Sequence, residues 1–408
     1  MSRELGVGWV GQETSYFCGP ACAQMVAAFL GAASPGQPPT WQQQIWDEIE
    51  TETNARRPKQ APCDASACDP FPEQKCEKYA GEWFCWATAP GALQRVLDQA
   101  QSRAAYAVST HDDEQAATAA LLQSVERGSP GLALVYGWQH WVVVDGYLDD
   151  QGGTVTHVSV CDPAVDPSDV VDELGWEEWD SAYLWSVPAG QYKEQIVVLR
   201  GEPRPPAGGC AMPLGQGAGP AWSARFPARK AEGRDRAVEL VSADRAVAVA
   251  HAERRRLLTR GGRWEAALAA GETDRGVRLV ERLDCHDHYT YMIDFRTGEK
   301  VTARMLINAR TAGYARAIGV VRPGAELRTL IDPDEVLSGL WNRRPNVPGL
   351  GGRVLRRETI GRHPVLVWMP CRQSMSPFMP FYQFSVGDRL VYLRADGIWF
   401  SRLTTGPA

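Results

Sequence analysis

What this chain lacks narrows its chemistry first. No stretch of its 408 residues approaches the roughly eighteen consecutive apolar residues of a membrane span, so no membrane-embedded role is expected. The first thirty residues show no basic start followed by an apolar core and a cleavage site. The expectation is a soluble chain without a recognisable signal peptide, cytoplasmic by default, with export by a signal-independent route left open. No glycine-rich loop of the kind that cradles phosphate is present, and no segment has the pattern of a nucleic-acid module, so nucleic acid is not an expected partner. Only seven histidines occur, which limits the candidates for a general base.

The remaining composition is that of a globular protein, 44% hydrophobic and 23% charged, long enough for two or three domains. Its formal charge of −6 hides an asymmetry. Through Arg200 there are 11 basic against 28 acidic residues; beyond it there are 32 basic against 21 acidic. Opposed fields of this kind steer association and are screened by salt, so a basic C-terminal part that docks on the acidic N-terminal part is one expectation, alongside an acidic partner or plain solvation. Ten cysteines are many for a cytosolic chain. Cys63, Cys68, Cys76 and Cys85 cluster in a Pro- and Asp-rich segment, about 53–88, that reads as an insertion. Their spacing does not match paired C-x-x-C zinc knuckles, so two disulfides are favoured over metal or free thiols.

Residues 11–22 read Gly-Gln-Glu-Thr-Ser-Tyr-Phe-Cys-Gly-Pro-Ala-Cys and run into the helix-forming stretch Ala23 to Leu30. A cysteine at a helix N-terminus feels the positive end of the backbone dipole, which favours thiolate and presents the sulfur to a cleft. Cys18 is therefore the candidate nucleophile. Gln12, six residues upstream, is a candidate donor to the oxyanion formed when a thiolate attacks a carbonyl. Cys22, one turn on, reads as a small buried hydrophobe.

A thiolate needs a base, and His140 is the best placed histidine because it opens the strand-like run to Tyr147. Thr154 to Cys161 is a second strand, with the turn residues Asp149-Asp150-Gln151-Gly152-Gly153 between the two. A hairpin symmetric about Gln151 sets His140 opposite Asp162, each eleven residues from the centre, and opposed residues share a face. Asp162 would then orient the imidazole, the third role of a triad. Asp145 competes for that role but lies on the same strand with opposite parity. His111 and His157 have no comparable partner.

The order Gln12, Cys18-Gly19-Pro20-Ala21-Cys22, His140-Trp141-Val142-Val143-Val144-Asp145-Gly146-Tyr147 and Asp162-Pro163 resembles the papain-like cysteine peptidases. It is most similar to the branch of the bacteriocin-leader processing, double-glycine peptidases and their stand-alone relatives. The resemblance covers roughly the first 200 residues. It implies a two-lobed α+β domain, a Cys18-His140-Asp162 triad with Gln12 at the oxyanion, a peptide or protein substrate and no cofactor. The long cysteine-rich segment and the lack of a following transporter depart from that pattern.

Helices are expected at 15–31, 41–52, 90–103 and 113–127, and strands at 131–136, 140–148, 154–161 and 195–200, which suits an α+β fold. Residues 1–200 are read as the peptidase domain, 201–235 as a Gly/Pro/Ala-rich linker and 236–408 as a basic α+β domain. Within the last, Cys285 to Phe295 has an echo around Cys371 and Phe381 to Gly387. A duplication over about 236–320 and 325–405 would make each copy a helix on a small antiparallel sheet. Cys285, His286 and His288 look like metal ligands on paper but are read as incidental. The expected activity is hydrolysis of a peptide or isopeptide bond. The alternatives are acyl transfer or transpeptidation by the same triad, and a catalytically silent peptide-binding module.

Overall fold

Two near-continuous apolar runs, Gly131–Val135 and the first eight residues of His140–Asp149, are buried along their length and form the centre of the N-terminal unit in the computed structural model of the chain. The structure describes residues 3–14, 17–31, 41–55, 75–79, 82–86, 88–100, 104–165, 170–188, 192–203, 225–226, 239–261, 263–268, 272–273, 276–285, 287–321, 325–338, 364–371, 373–387 and 389–404. The chain divides into two units: Met1–Pro163, Asp172–Lys230 and Gly406–Ala408 in one, Ala164–Val171 and Ala231–Thr405 in the other.

The strands of the first unit are β1 (Arg3–Glu4), β2 (Lys75–Tyr79), β3 (Glu82–Trp86), β4 (Ala104–His111), β5 (Gly131–Val135), β6 (His140–Asp149), β7 (Val155–Cys161), β8 (Val170–Gly175, of which Asp172 onward lies in this unit) and β9 (Ile196–Pro203). They pair antiparallel in the order β8-β7-β6-β5-β9-β4, with β1 added to β6 and β2-β3 as a separate hairpin. Among the described residues the longer helices that accompany them are α1 (Cys18–Phe29), α2 (Trp41–Ala55), α3 (Pro90–Ala100) and α4 (Glu114–Glu126). The mixture of helices and antiparallel sheet is α+β.

Local sequence accounts for most of these elements. Pro20 sits in the first turn of α1, where its missing N–H is no loss, and Gly31 at φ 75 ends the helix. Nine of its residues are buried, and α1 packs on β6 as a core helix. Asp113 caps α4 by accepting from Ala116 N at 2.8 Å. The β6–β7 turn forms as its residues suggest: Asp150 Oδ1 accepts from Gly152 N at 2.8 Å and Thr154 N at 2.9 Å.

Three sequence expectations need correction. Strand β4 was not expected, although Tyr106, Val108 and Thr110 favour a strand at alternate positions; its full-length pairing with β9 fixes it. The expected linker starts too early, since Gly201–Pro203 completes β9. A side chain at Gly201 would meet Ser129 Cβ at 2.8 Å and the Tyr106 ring at 2.9 Å, so only glycine fits there. The third concerns register. Val143 faces Cys161 and Val144 faces Val160, with irregularities at Val144/Gly146 and Leu148/Asp149, so the hairpin is centred beyond Gln151. Continued by one residue, that register puts Asp162 across from Val142, not His140. A slip of two residues preserves the face, so Asp162 stays on the side of the sheet that His140 uses.

In the insertion, Cys76 and Cys85 are direct partners in the β2–β3 register; Cys63 and Cys68 lie outside the described residues.

The second unit has its own core, where the helices Ala243–Arg260 and Arg263–Leu268 cover a sheet through Ala246, Ala250, Leu257, Trp264 and Ile293. Ser242 caps the longer helix by accepting from Arg245 N at 3.2 Å. Its strands are β10 (Glu272–Thr273), β11 (Arg278–Arg282), β12 (Tyr289–Thr297), β13 (Lys300–Asn308), β14 (Tyr314–Val320), β15 (Val365–Trp368), β16 (Phe381–Val386), β17 (Arg389–Arg394) and β18 (Trp399–Phe400). Two antiparallel meanders, β11 to β14 and β15 to β18, join through a parallel pairing of β11 with β15. The directly opposed Asp294 and Arg304 form a fully buried pair, Nε to Oδ1 at 2.5 Å, and Arg304 also donates to Phe378 O and Arg328 O. Among the described residues no helix is long and apolar enough to cross a membrane, and no group of three or more His, Cys, Asp or Glu is placed to hold a metal. His286 lies outside them.

Candidate active site

Cys18 is the first residue of α1, and no side chain caps that helix. The preceding residue, Phe17, packs on Trp46 of α2 with ring centroids 5.3 Å apart, which fixes where the helix starts. Gly19 is required by close approach: a Cβ there would lie 2.3 Å from Thr88 Cγ2. The sulfur is not open to a cleft, as the sequence suggested; Cys18 is 2% exposed, and a substrate must gain access to it.

His140 is the first residue of β6, set there by a tight turn, Tyr136–Trp138, in which Tyr136 takes φ 55 and Gly137 φ 77. Its ring is fully buried, with Nε2 2.7 Å from Asp162 Oδ1. Among the described residues Nδ1 has no oxygen or nitrogen partner, and it is the Cys18 sulfur that interacts with the ring. Burial opposes a charge on this imidazole. The Asp162 carboxylate, its hydrogen bond and the Cys18 sulfur outweigh that, so protonation is raised from 6.5 to about 9. The arrangement favours a protonated His140 ring at neutral pH.

Asp162 lies one residue past the end of β7 and is fully buried. Its Oδ2 accepts from Tyr183 OH at 2.8 Å and its backbone carbonyl from Trp9 Nε1 at 2.8 Å. The next carbonyl, Pro163 O, accepts from Gln12 N at 2.9 Å. The Asp-Pro dipeptide thus joins the histidine to the loop that carries Gln12. Gln42 of α2 braces that loop on both sides of Gln12, with Nε2 donating to Gly11 O at 2.8 Å and Oε1 accepting from Glu13 N at 2.9 Å. Gln12 Oε1 is itself buried, with no hydrogen-bond partner among the described residues.

The rival groups are engaged differently. Asp145 Oδ2 accepts from Val7 N at 3.3 Å, and Asp145 O from Leu5 N at 2.8 Å. Burial pushes the Cys22 thiol well up, and its Sγ donates to Trp141 O at 3.3 Å, which suits an unreactive core cysteine. His111 and His157 pair with the hydroxyls of Ser109 and Thr156 at 2.9 Å. Trp9, Gln42, Tyr136 and Tyr183 went unnoticed in the sequence. Their one advance signal is general: a buried amide, indole or phenol needs a partner.

Residues 4–186 match the family model described as Peptidase_C39 like family. Among solved structures, the chain is similar to the crystal structure of a double glycine motif protease from an AMS/PCAT transporter in complex with the leader peptide. That match has 11% identity, covers 50% of this chain and 95% of that chain, and has a TM-score of 0.26. No curated protein matches the chain. The family model thus matches the part of the chain in which the resemblance was read from Gln12, Cys18, His140 and Asp162.

Proposed function

We propose that residues 1–200 act as a cysteine peptidase domain that hydrolyses a peptide or isopeptide bond. The observation that carries this reading is the buried 2.7 Å contact between His140 Nε2 and Asp162 Oδ1, with the Cys18 sulfur interacting with the same ring at the start of α1. The family match of residues 4–186 supports a peptide as the substrate class.

In this reading the Cys18 thiolate attacks the scissile carbonyl carbon while its proton resides on His140, which Asp162 holds in place. The oxyanion takes hydrogen bonds from the Gln12 side-chain amide and the Cys18 backbone N–H. His140 then gives its proton to the leaving amine. Water, deprotonated by His140, hydrolyses the acyl-enzyme and restores the thiol. No cofactor enters these steps.

The basic residues after 235 form, in this proposal, a regulatory or partner-binding module that follows the linker and comprises two copies, about 236–320 and 325–405. Its two meanders support the duplication, and its charge, opposite to that of residues 1–200, supports docking by a salt-sensitive field.

An electrophilic thiol probe and a peptide library, applied to the full-length protein and to Cys18→Ala and His140→Ala, test the assignment. The expected result is labelling at Cys18 and cleavage in the wild type alone. Cleavage by Cys18→Ala at the wild-type rate would overturn it.

A further inference from the structure

Tyr183 is not one of the four residues assigned above, yet its hydroxyl takes the carboxylate oxygen that His140 leaves. It donates to Asp162 Oδ2 at 2.8 Å, while Oδ1 lies 2.7 Å from His140 Nε2. All three side chains are buried. A donor on each oxygen fixes the carboxylate's rotation, and therefore the direction in which Oδ1 meets the ring.

The backbone that presents Tyr183 has an uncommon form. After the single turn Trp176–Glu178, the chain widens into a π-helix over Trp179–Tyr183, closed by Leu184 N donating to Trp179 O at 2.9 Å. Such turns are rare and are frequently found at functional sites. Packing then locks the ring: Tyr136 meets it edge-on at 4.5 Å and Trp179 at 5.8 Å. Trp179 is anchored by Nε1 donating to Thr118 Oγ1 at 2.8 Å. Tyr136 also stacks on His140, 6.5 Å between centroids with a 19° interplanar angle. It does so from a left-handed backbone, φ 55, that is costly for a residue with a side chain. A strained residue and a π turn therefore converge on the two side chains that flank the His140–Asp162 pair.

We propose that Tyr183 is a positioning residue: it locks Asp162 so that Oδ1 holds His140 in the orientation that serves Cys18. The inference rests on the peptidase reading above and acts through Asp162, not through substrate.

The test uses full-length wild type, Tyr183→Phe, Asp162→Ala and the double variant, with the rate of Cys18 alkylation by iodoacetamide as readout. Tyr183→Phe keeps the ring contacts and removes the hydroxyl. The alkylation rate is expected to fall roughly ten- to hundredfold, the range for a hydrogen bond to a charged group. In the Asp162→Ala background the same change is expected to cost nothing further, because its partner is gone. The low-field imidazole N–H proton of His140 should move or vanish in Tyr183→Phe. A wild-type rate with an unmoved proton, or equal losses in both backgrounds, would overturn the proposal. Should Tyr183→Phe fail to fold, the wild type still decides: the proposal requires a slowly exchanging Tyr183 hydroxyl proton at low field, and its absence overturns it. Cys18→Ala separates the two readings. Peptide cleavage at the wild-type rate by Cys18→Ala removes the peptidase assignment; loss in Cys18→Ala with no effect of Tyr183→Phe removes only the positioning role.

Discussion

Replacing Asp162 by Asn keeps the shape of the side chain and removes its charge, which isolates what holds the proton on His140. Burial of the ring opposes protonation, and the Asp162 carboxylate is the first of the influences that reverse this and raise it from 6.5 to about 9. In Asp162→Asn the effect of burial is no longer outweighed, so the ring is expected to titrate below 6.5 and to be neutral at pH 7.5. The rise from 6.5 to about 9 corresponds to on the order of 3 kcal/mol between the two protonation states. Because the folded value is raised, the associated stability is fully present below about pH 6.5 and is lost as pH rises through about 9. Two assays follow the same proton. Titration of the 15N-labelled imidazole should show the wild-type ring losing its charge near pH 9 and the variant below 6.5. Urea unfolding across that window should show the wild type losing up to about 3 kcal/mol from this group, while the variant does not. The rate of peptide hydrolysis should fall through the wild-type value as His140 loses the proton needed by the leaving amine. A titration that stays in place in Asp162→Asn, or wild-type stability that does not decline between pH 6.5 and 9, would refute the reasoning.

Gln12→Ala should lower kcat by about 10²- to 10³-fold with little change in melting temperature, the cost of one oxyanion donor; a wild-type kcat would remove that role. Gly19→Ala places a methyl 2.3 Å from Thr88 Cγ2 in a closed core and should destabilise by about 1–3 kcal/mol in urea unfolding, with slower alkylation of Cys18 as the start of α1 shifts. Arg304→Met leaves buried Asp294 with the longer, partly exposed Arg278 contact at 3.5 Å and should cost about 3 kcal/mol, the low end for a broken buried pair, seen as earlier unfolding of that unit in hydrogen exchange; an unchanged midpoint would mean the pair contributes little.

The parts of the fold legible in the sequence are those set by neighbours along the chain. Pro20 and Gly31 bracket α1, and Asp150 with the glycines after it makes the β6–β7 turn. The near-continuous apolar runs mark β5 and β6 as central strands. Strand β4 was missed because the alternate Tyr106, Val108 and Thr110 are diluted by three alanines, and its pairing partners lie more than eighty positions away. In the C-terminal part the sequence offered a weak echo between Cys285 to Phe295 and Cys371 to Gly387, but no sign of the parallel junction of β11 with β15.

The site divides along the same line. Residue order alone put Cys18 at a helix start and His140 at a strand start, since each depends on a few adjacent residues. Symmetric pairing about Gln151 failed because two irregularities shift the ladder, and a bulge is decided by what packs on the strand; Gly146, where β1 approaches so closely that a Cβ would lie 2.7 Å from Arg3 O, marks one of them. Asp162 still reaches His140 because the displacement is even and keeps it on the same face. Tyr183, Trp9 and Gln42 approach this loop from 21 to 153 positions away and carry no local pattern that betrays their partners. A helix start or a turn is a property of a few consecutive residues and can be read from them. A buried carboxylate's hydrogen bonds depend on which distant elements the packed core brings together, and only the tertiary structure decides that.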